Sequence, residues 1–470
     1  AFKKAQELDP NCAICYWGEA IALGPNINAP MSAEAGKQAL VAMRKAQKLS
    51  SFANEREQAL IDAGSTRYSD IEGVTRGELD QRFADAMASL VQKFPEDRDI
   101  ATLYAEALMT TAPWDYWERD FTTPKPHIRT AIDTIETVLS ENPNHYGSIH
   151  LYIHLYEASQ MAEKAAVHAD KLAGLAPGSG HLVHMPGHIY FRIGRYLDSL
   201  ETNVKAIAVD EAYLKVTKGS DLYRYGYYPH NVHFVLVSAQ MAGDGATALE
   251  YANKLDQLIP LEVLAGAEWI APIKAAPYFA QAQFGSVEDV LALSAPPDSI
   301  PYLKAMWHYA RGVVLAEIGD QRSREEVSAI ADLAQTDAIQ TAGIPAATIL
   351  EIAQNIVSAK YLMSEGKPEQ AIALLEESVS LQNSMSYTEP PFWYYALEQT
   401  LGAAYLGVGD FEKAETAFKA SLIRHPNSAW SLYGLWQSQE RAGKHEAAKA
   451  SEALYMKASL SDGVMDLKKL

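Results

Sequence analysis

The chain has 470 residues, with 59 acidic against 40 basic side chains and a formal charge of −19. Contact with a phosphate backbone needs clustered Lys and Arg, and none occurs, so this acidity excludes nucleic acid as a partner and disfavours docking on anionic lipid. At 48% hydrophobic residues the chain folds, yet it has no run of about 18 apolar residues to span a membrane, and 2 cysteines build no disulfide framework.

Taken in order, the chain opens with Ala1 inside an amphipathic segment that stops at Asp9-Pro10. This is the pattern of a processed or truncated product, periplasmic or secreted if a signal peptide has been removed and cytoplasmic otherwise. Helical periodicity then continues to the end, in segments filled by Ala, Leu, Glu, Lys and Gln. Short polar breaks at Asn142-Pro143-Asn144, Ala176-Pro177-Gly178, Gly243-Asp244-Gly245, Gly409-Asp410 and His425-Pro426-Asn427 separate these segments. Irregular stretches lie at Trp114 to Pro126, Asp210 to Tyr228, Ala295 to Pro301 and Tyr387 to Pro391. The prediction is an all-α protein of many short helices.

Near the C-terminus, Leu401-Gly402, Tyr405, Gly409, Ala414, Phe418, Ser421 and Pro426 are spaced as in a 34-residue helix–turn–helix. This segment resembles the tetratricopeptide repeat (TPR) family, in an uncharacterised bacterial branch with a His-rich groove. The resemblance implies antiparallel helix pairs stacked into a superhelical solenoid, each pair relying on its neighbours to bury its apolar face. With Tyr395 as repeat position 1, weaker copies begin at Asn11, Gly180, Pro229 and about Ala305. The expected organisation is an N-terminal TPR-like part, residues 1–294, carrying the His-rich groove, continuous with C-terminal repeats over 295–470.

The distribution of histidine is the unusual feature. Nine of the 13 lie between His145 and His233, and seven form tight groups: His150 and His154; His181, His184 and His188; His230 and His233. Spacings of three and four put the members of each group on one helical face. His150 and His184, like His154 and His188, are 34 residues apart, which is one repeat. In TPR proteins, positions 2, 5 and 9 of the first helix face the concave groove. The resemblance therefore implies that all seven line one wall of that groove.

Convergent neutral imidazoles are transition-metal ligands, so the expectation is a mono- or dinuclear Cu or Zn site. Such a site implies a possible metalloenzyme of unknown reaction, with Glu157, Glu106 or Tyr227 as candidates to handle protons. The alternative is a non-catalytic scaffold that binds a peptide, a protein partner or a small molecule in the groove. The remaining histidines carry no functional expectation: His145 reads as a helix start and His308 as facing its partner helix. Cys12-x-x-Cys15 lacks the βαβ context of a thioredoxin-like motif and is expected as two packed thiols, with a soft-metal role as the alternative. The aromatics after Glu389-Pro390-Pro391 are expected to pack, and the Tyr-rich insert before His230 is either a lid or a packed loop.

Overall fold

Local capping chemistry cuts the chain where the sequence breaks fall. Asn54 with Glu57 and Thr75 with Glu78 form capping boxes at the starts of helices Glu55–Ser65 and Arg76–Lys93. Asp244 and Asp410 cap Gly245–Leu258 and Phe411–Arg424. Gly409 takes φ 83° between Leu397–Gly407 and Phe411–Arg424, a conformation that strains any residue with a Cβ. The computed structural model describes residues 1–264, 268–461 and 465–470. Among them there is no β-strand, only two isolated bridges. The protein is an all-α, TPR-like array of antiparallel helix pairs.

The chain forms two compact units, Ala1–Leu175 and Ala176–Leu470. In the first, Ala13–Leu23 packs on Ala33–Lys48, Arg76–Lys93 on Arg98–Thr110, and Pro126–Glu141 on both Arg98–Thr110 and Tyr146–Glu157. Buried Ala20, Ala39, Met43 and Ile61 form one core, and Tyr68 donates to Ala20 O at 2.6 Å. Cys12 and Cys15 differ from the expectation of two thiols: they form a disulfide. Cys12 is the N-cap of Ala13–Leu23, and one helical turn brings the two Cα atoms to 5.3 Å, within bonding range.

In the second unit, Tyr196–Val216 packs against the short helices Gly180–His184 and Pro186–Arg192 and against Tyr228–Ala242. Pairs follow to Ala429–Arg441 with His445–Ala458, and packing runs through the Pro-rich bend, because Ala271–Phe284 lies on Pro301–Glu317. Small residues at repeat position 8 permit close pairing: a Cβ on Gly402 would lie 3.0 Å from the Phe418 ring. The segment after Pro391 packs as expected. Trp393 is fully buried, its ring centroid 5.0 Å from Phe279 and 5.3 Å from Tyr309; removing such a side chain costs about 3–5 kcal/mol.

The C-terminal repeats of this unit fold back on its first helices. Trp430 Nε1 donates to Gln240 O at 2.8 Å, Leu460 N to Ala242 O at 2.9 Å and Asn427 Nδ2 to Gly194 O at 3.3 Å. Gly194 has φ 77°, and a Cβ there would lie 2.1 Å from Pro426 O. Gly194→Ala is therefore expected to destabilise by about 2 kcal/mol or more in urea unfolding, from left-handed strain plus overpacking. Gly409→Ala, with no atom within 4 Å of its added Cβ, is expected to lose only about 1 kcal/mol.

His425 lies in the same seam, buried and edge-on to Phe191. Burial first, then Arg192 and Arg424, push it down to about 3. The folded chain thus holds fewer protons at this ring than the unfolded chain, whose His titrates near about 6.5. The stability linked to this ring is therefore fully present above about pH 6.5 and falls away as pH drops toward about 3. His425→Gln is expected to flatten the pH dependence of urea unfolding in that window by up to about 1.4 kcal/mol per pH unit.

Candidate functional site

Ser179 caps Gly180–His184 through Leu182 N, and Pro186 occupies the first turn of Pro186–Arg192. Met185 between them keeps helical angles, φ −50° and ψ −37°, so the proline interrupts the helical path only slightly. His184 and His188 thus stay one turn apart on one face, with Nε2 atoms separated by 2.7 Å. The helix Tyr228–Ala242 adds His230, whose Nε2 lies 3.4 Å from that of His188. The ligand atoms of these three residues lie within 4.8 Å of one another. Phe234 packs against all three rings, at 4.9, 4.8 and 5.0 Å. His184 and His188 are buried and His230 is half-buried.

The helix Tyr196–Val216 fixes the orientation of His184. Its buried Asn203 places Oδ1 2.5 Å from His184 Nδ1, while Asn203 Nδ2 donates to Ser199 O at 2.7 Å. The second bond settles which end of the amide faces the ring. Nδ1 of His184 therefore donates, and the Nε2 lone pair turns toward His188 and His230. Burial, then the neighbouring His188 and His230, hold His184 far below the usual imidazole range, so it stays neutral. Asp210 anchors the surroundings: it accepts from Tyr223 OH at 2.5 Å and Asn231 Nδ2 at 2.7 Å, and burial pushes its carboxyl up. Tyr223–Tyr227 forms a π-helical turn that leads directly into the His230 helix, and Tyr227 lies edge-on to His181 at 5.0 Å.

His150 and His154 belong to the first unit, on Tyr146–Glu157. Their Nε2 atoms are 3.1 Å apart, and His154 Nδ1 lies 2.5 Å from Glu157 Oε1, both partners being buried. Glu157 is thus engaged with His154. The irregular stretch from Trp114 docks on this helix. Trp117 Nε1 donates to Leu155 O at 2.9 Å, and Trp114, at a strained φ of 65°, sets its ring 5.5 Å from His154. Glu106, on Arg98–Thr110, has its carboxyl pushed up by burial.

The structure therefore assembles His184, His188 and His230 in one unit and pairs His150 with His154 in the other. His181 lies edge-on to Tyr227. His233 turns to Tyr394 at 5.1 Å, and both its buried ring nitrogens lack hydrogen-bond partners. Burial alone pushes His233 down to about 3. His145 accepts from Ser148 N as the N-cap, and His308 meets Glu326 on its partner helix, both as expected. Asn203 and Phe234 carry no functional signal in the sequence, and Asp210 and Trp114 stand out there only as ends of irregular stretches. Only Gly187 hinted at Asn203, since a Cβ there would fall 2.5 Å from Asn203 Nδ2.

No family model and no curated protein matches the chain. Among solved structures, the human IFIT1 dimer with m7Gppp-AAAA is 13% identical, covers 91% of this chain and 87% of its own, and superposes with a TM-score of 0.37. Yeast Tom70 is 13% identical over 96% of this chain and 85% of its own, with a TM-score of 0.32. The TPR domain of P58(IPK) is 12% identical over 82% and 95%, with a TM-score of 0.24. No helix among the described residues is long and apolar enough to cross a membrane.

Asn203→Leu removes the acceptor of a buried ring N–H and is expected to destabilise by about 1–3 kcal/mol in urea unfolding. Nitrogen chemical shifts of the wild-type protein are expected to show His184 as the Nδ1–H tautomer. A proton on Nε2 would contradict the orientation assigned to Asn203.

Proposed function

We propose that His184, His188 and His230 hold a transition-metal ion, Cu or Zn. The observation that carries this reading is three imidazole nitrogens, one from each ring, within 4.8 Å of one another, one ring already oriented through its far nitrogen by Asn203. Two nitrogens bound at 2.0–2.1 Å in tetrahedral geometry stand about 3.3 Å apart. The separations of 2.7 and 3.4 Å bracket that value, so the rings fit an ion with small movements. An outer acceptor on the distal nitrogen is the arrangement that fixes the tautomer of a ligating histidine and raises its basicity. Three neutral imidazoles suit Cu or Zn better than Mg or Ca, which prefer oxygen, and the formal charge of −19 favours a cation.

Three protein ligands leave a coordination position for water or a substrate, and bound metal would supply Lewis-acid or redox chemistry there. This supports a metalloenzyme of unassigned reaction. His150 and His154 are proposed to serve metal binding in the first unit, with Glu157 as the outer partner of His154. A second reading, a non-catalytic scaffold for a peptide or protein partner, rests on the helical-repeat fold. His in place of Arg or Lys at the expected groove positions weighs against a clamp for a peptide carboxylate.

Metal uptake by the chelator-stripped full chain, followed by elemental analysis after desalting, tests the reading. Wild type is expected to retain Cu or Zn, and His184→Ala with His230→Ala to lose the ion of the second unit. Asn203→Leu is expected to bind about 10–100-fold more weakly. A wild-type protein that takes up neither metal, or a double variant with undiminished content, overturns the proposal.

A further inference from the structure

We propose that Cys12 and Cys15 form an exchangeable dithiol–disulfide couple that trades two electrons with a dithiol, and are not a structural cross-link. This inference is independent of the metal reading. The bond joins residues three apart on one helical turn, so it ties no second element to the fold. A ring this small also restricts the unfolded chain far less than the long loops that structural disulfides close.

The turn is already held without the sulfurs. Cys15 N donates to Cys12 O at 3.1 Å, and Cys12 N donates to Asp9 O at 3.1 Å. Gln6 Nε2, from the preceding helix Phe2–Leu8, donates to Cys15 O at 3.2 Å and to Glu19 Oε2 at 2.7 Å. The Phe2 ring closes over Gly18, where a Cβ would lie 2.2 Å from it. Opening the disulfide leaves each of these contacts in place.

The two sulfurs occupy unequal positions. Cys12 is the N-cap of Ala13–Leu23, and no side-chain hydrogen bond caps that helix. First-turn N–H groups without intrahelical acceptors favour a thiolate at this position. Cys15 sits inside the first turn. Both residues are half-buried and within reach of a reagent.

The exchange follows from this asymmetry. A thiolate of the dithiol attacks the Cys15 sulfur, and Cys12 leaves as the thiolate that the helix N-terminus stabilises. The second thiol of the reagent, deprotonated, then attacks the reagent's own sulfur in the mixed disulfide and releases Cys15, which takes up a proton. The reagent leaves as a disulfide, and the protein gains two electrons, with one proton on Cys15.

Dithiothreitol titration of the full chain, trapped by alkylation and read by mass, counts both cysteines, since the chain has only 2. Both are expected to reduce without denaturant, to leave helical circular dichroism and the thermal midpoint unchanged, and to reoxidise with glutathione disulfide. In Cys15→Ser, Cys12 is expected to form the glutathione mixed disulfide about 10-fold faster than Cys15 does in Cys12→Ser. Reduction that requires denaturant or lowers the thermal midpoint would mark a structural cross-link and overturn the proposal. Equal rates in the two single variants overturn it as well.

Discussion

The candidate site in the second unit depends on one close approach, that of Tyr196–Val216 to the short helices of residues 180–192. Two glycines permit it. At Gly180 a Cβ would fall 1.7 Å from Asp210 Oδ1, and at Gly187 it would fall 2.5 Å from Asn203 Nδ2. Thr202 adds a bond to Val183 O at 2.9 Å. With the helices this close, a short polar side chain reaches the far nitrogen of His184 inside a dry interior. A buried polar group left unpaired there is expensive, so a satisfied Asn203 selects a single ring orientation. The same helix, through Asp210, ties down Asn231, next to His230.

The first unit repeats the device with different chemistry. His150 and His154 sit one turn apart, as His184 and His188 do, and the outer acceptor is the carboxylate of Glu157 instead of an amide. Equal repeat spacing thus places chemically different outer acceptors behind the two histidine pairs, a carboxylate in one and an amide oxygen in the other. Trp114 against His154 and Phe234 against the three clustered rings supply apolar walls that strengthen electrostatics inside each group.

How much was legible in the residues follows the range of the forces involved. Helices, caps and turns are set within a few positions of the chain, and the breaks at Gly409 and at His425-Pro426-Asn427 fall where the helices end. The i, i+4 pairs also survive, since one turn of helix brings Nε2 atoms together without outside help. Equal repeat positions proved a weaker guide. His230 and His233 share a helix face by spacing, yet His230 joins His184 and His188 while His233 turns to Tyr394, which lies more than a hundred residues further along. The cysteine pair shows the same limit at short range: the spacing pointed to two packed thiols, and the geometry of the first turn joins the sulfurs in a disulfide.

The residues themselves therefore settled the all-α class, the 34-residue repeat and the histidine pairs, because these are properties of local backbone geometry and of hydrophobic period. Tertiary packing settled the rest. The fold-back of the second unit rests on Trp430 reaching Gln240 and on Pro426 lying against Gly194, contacts between residues some 190 to 230 positions apart. The selection of Asn203 as the partner of His184 rests on the separation of two stacked helices. Neither leaves a periodic trace in the chain, since each depends on how close and at what angle whole helices meet.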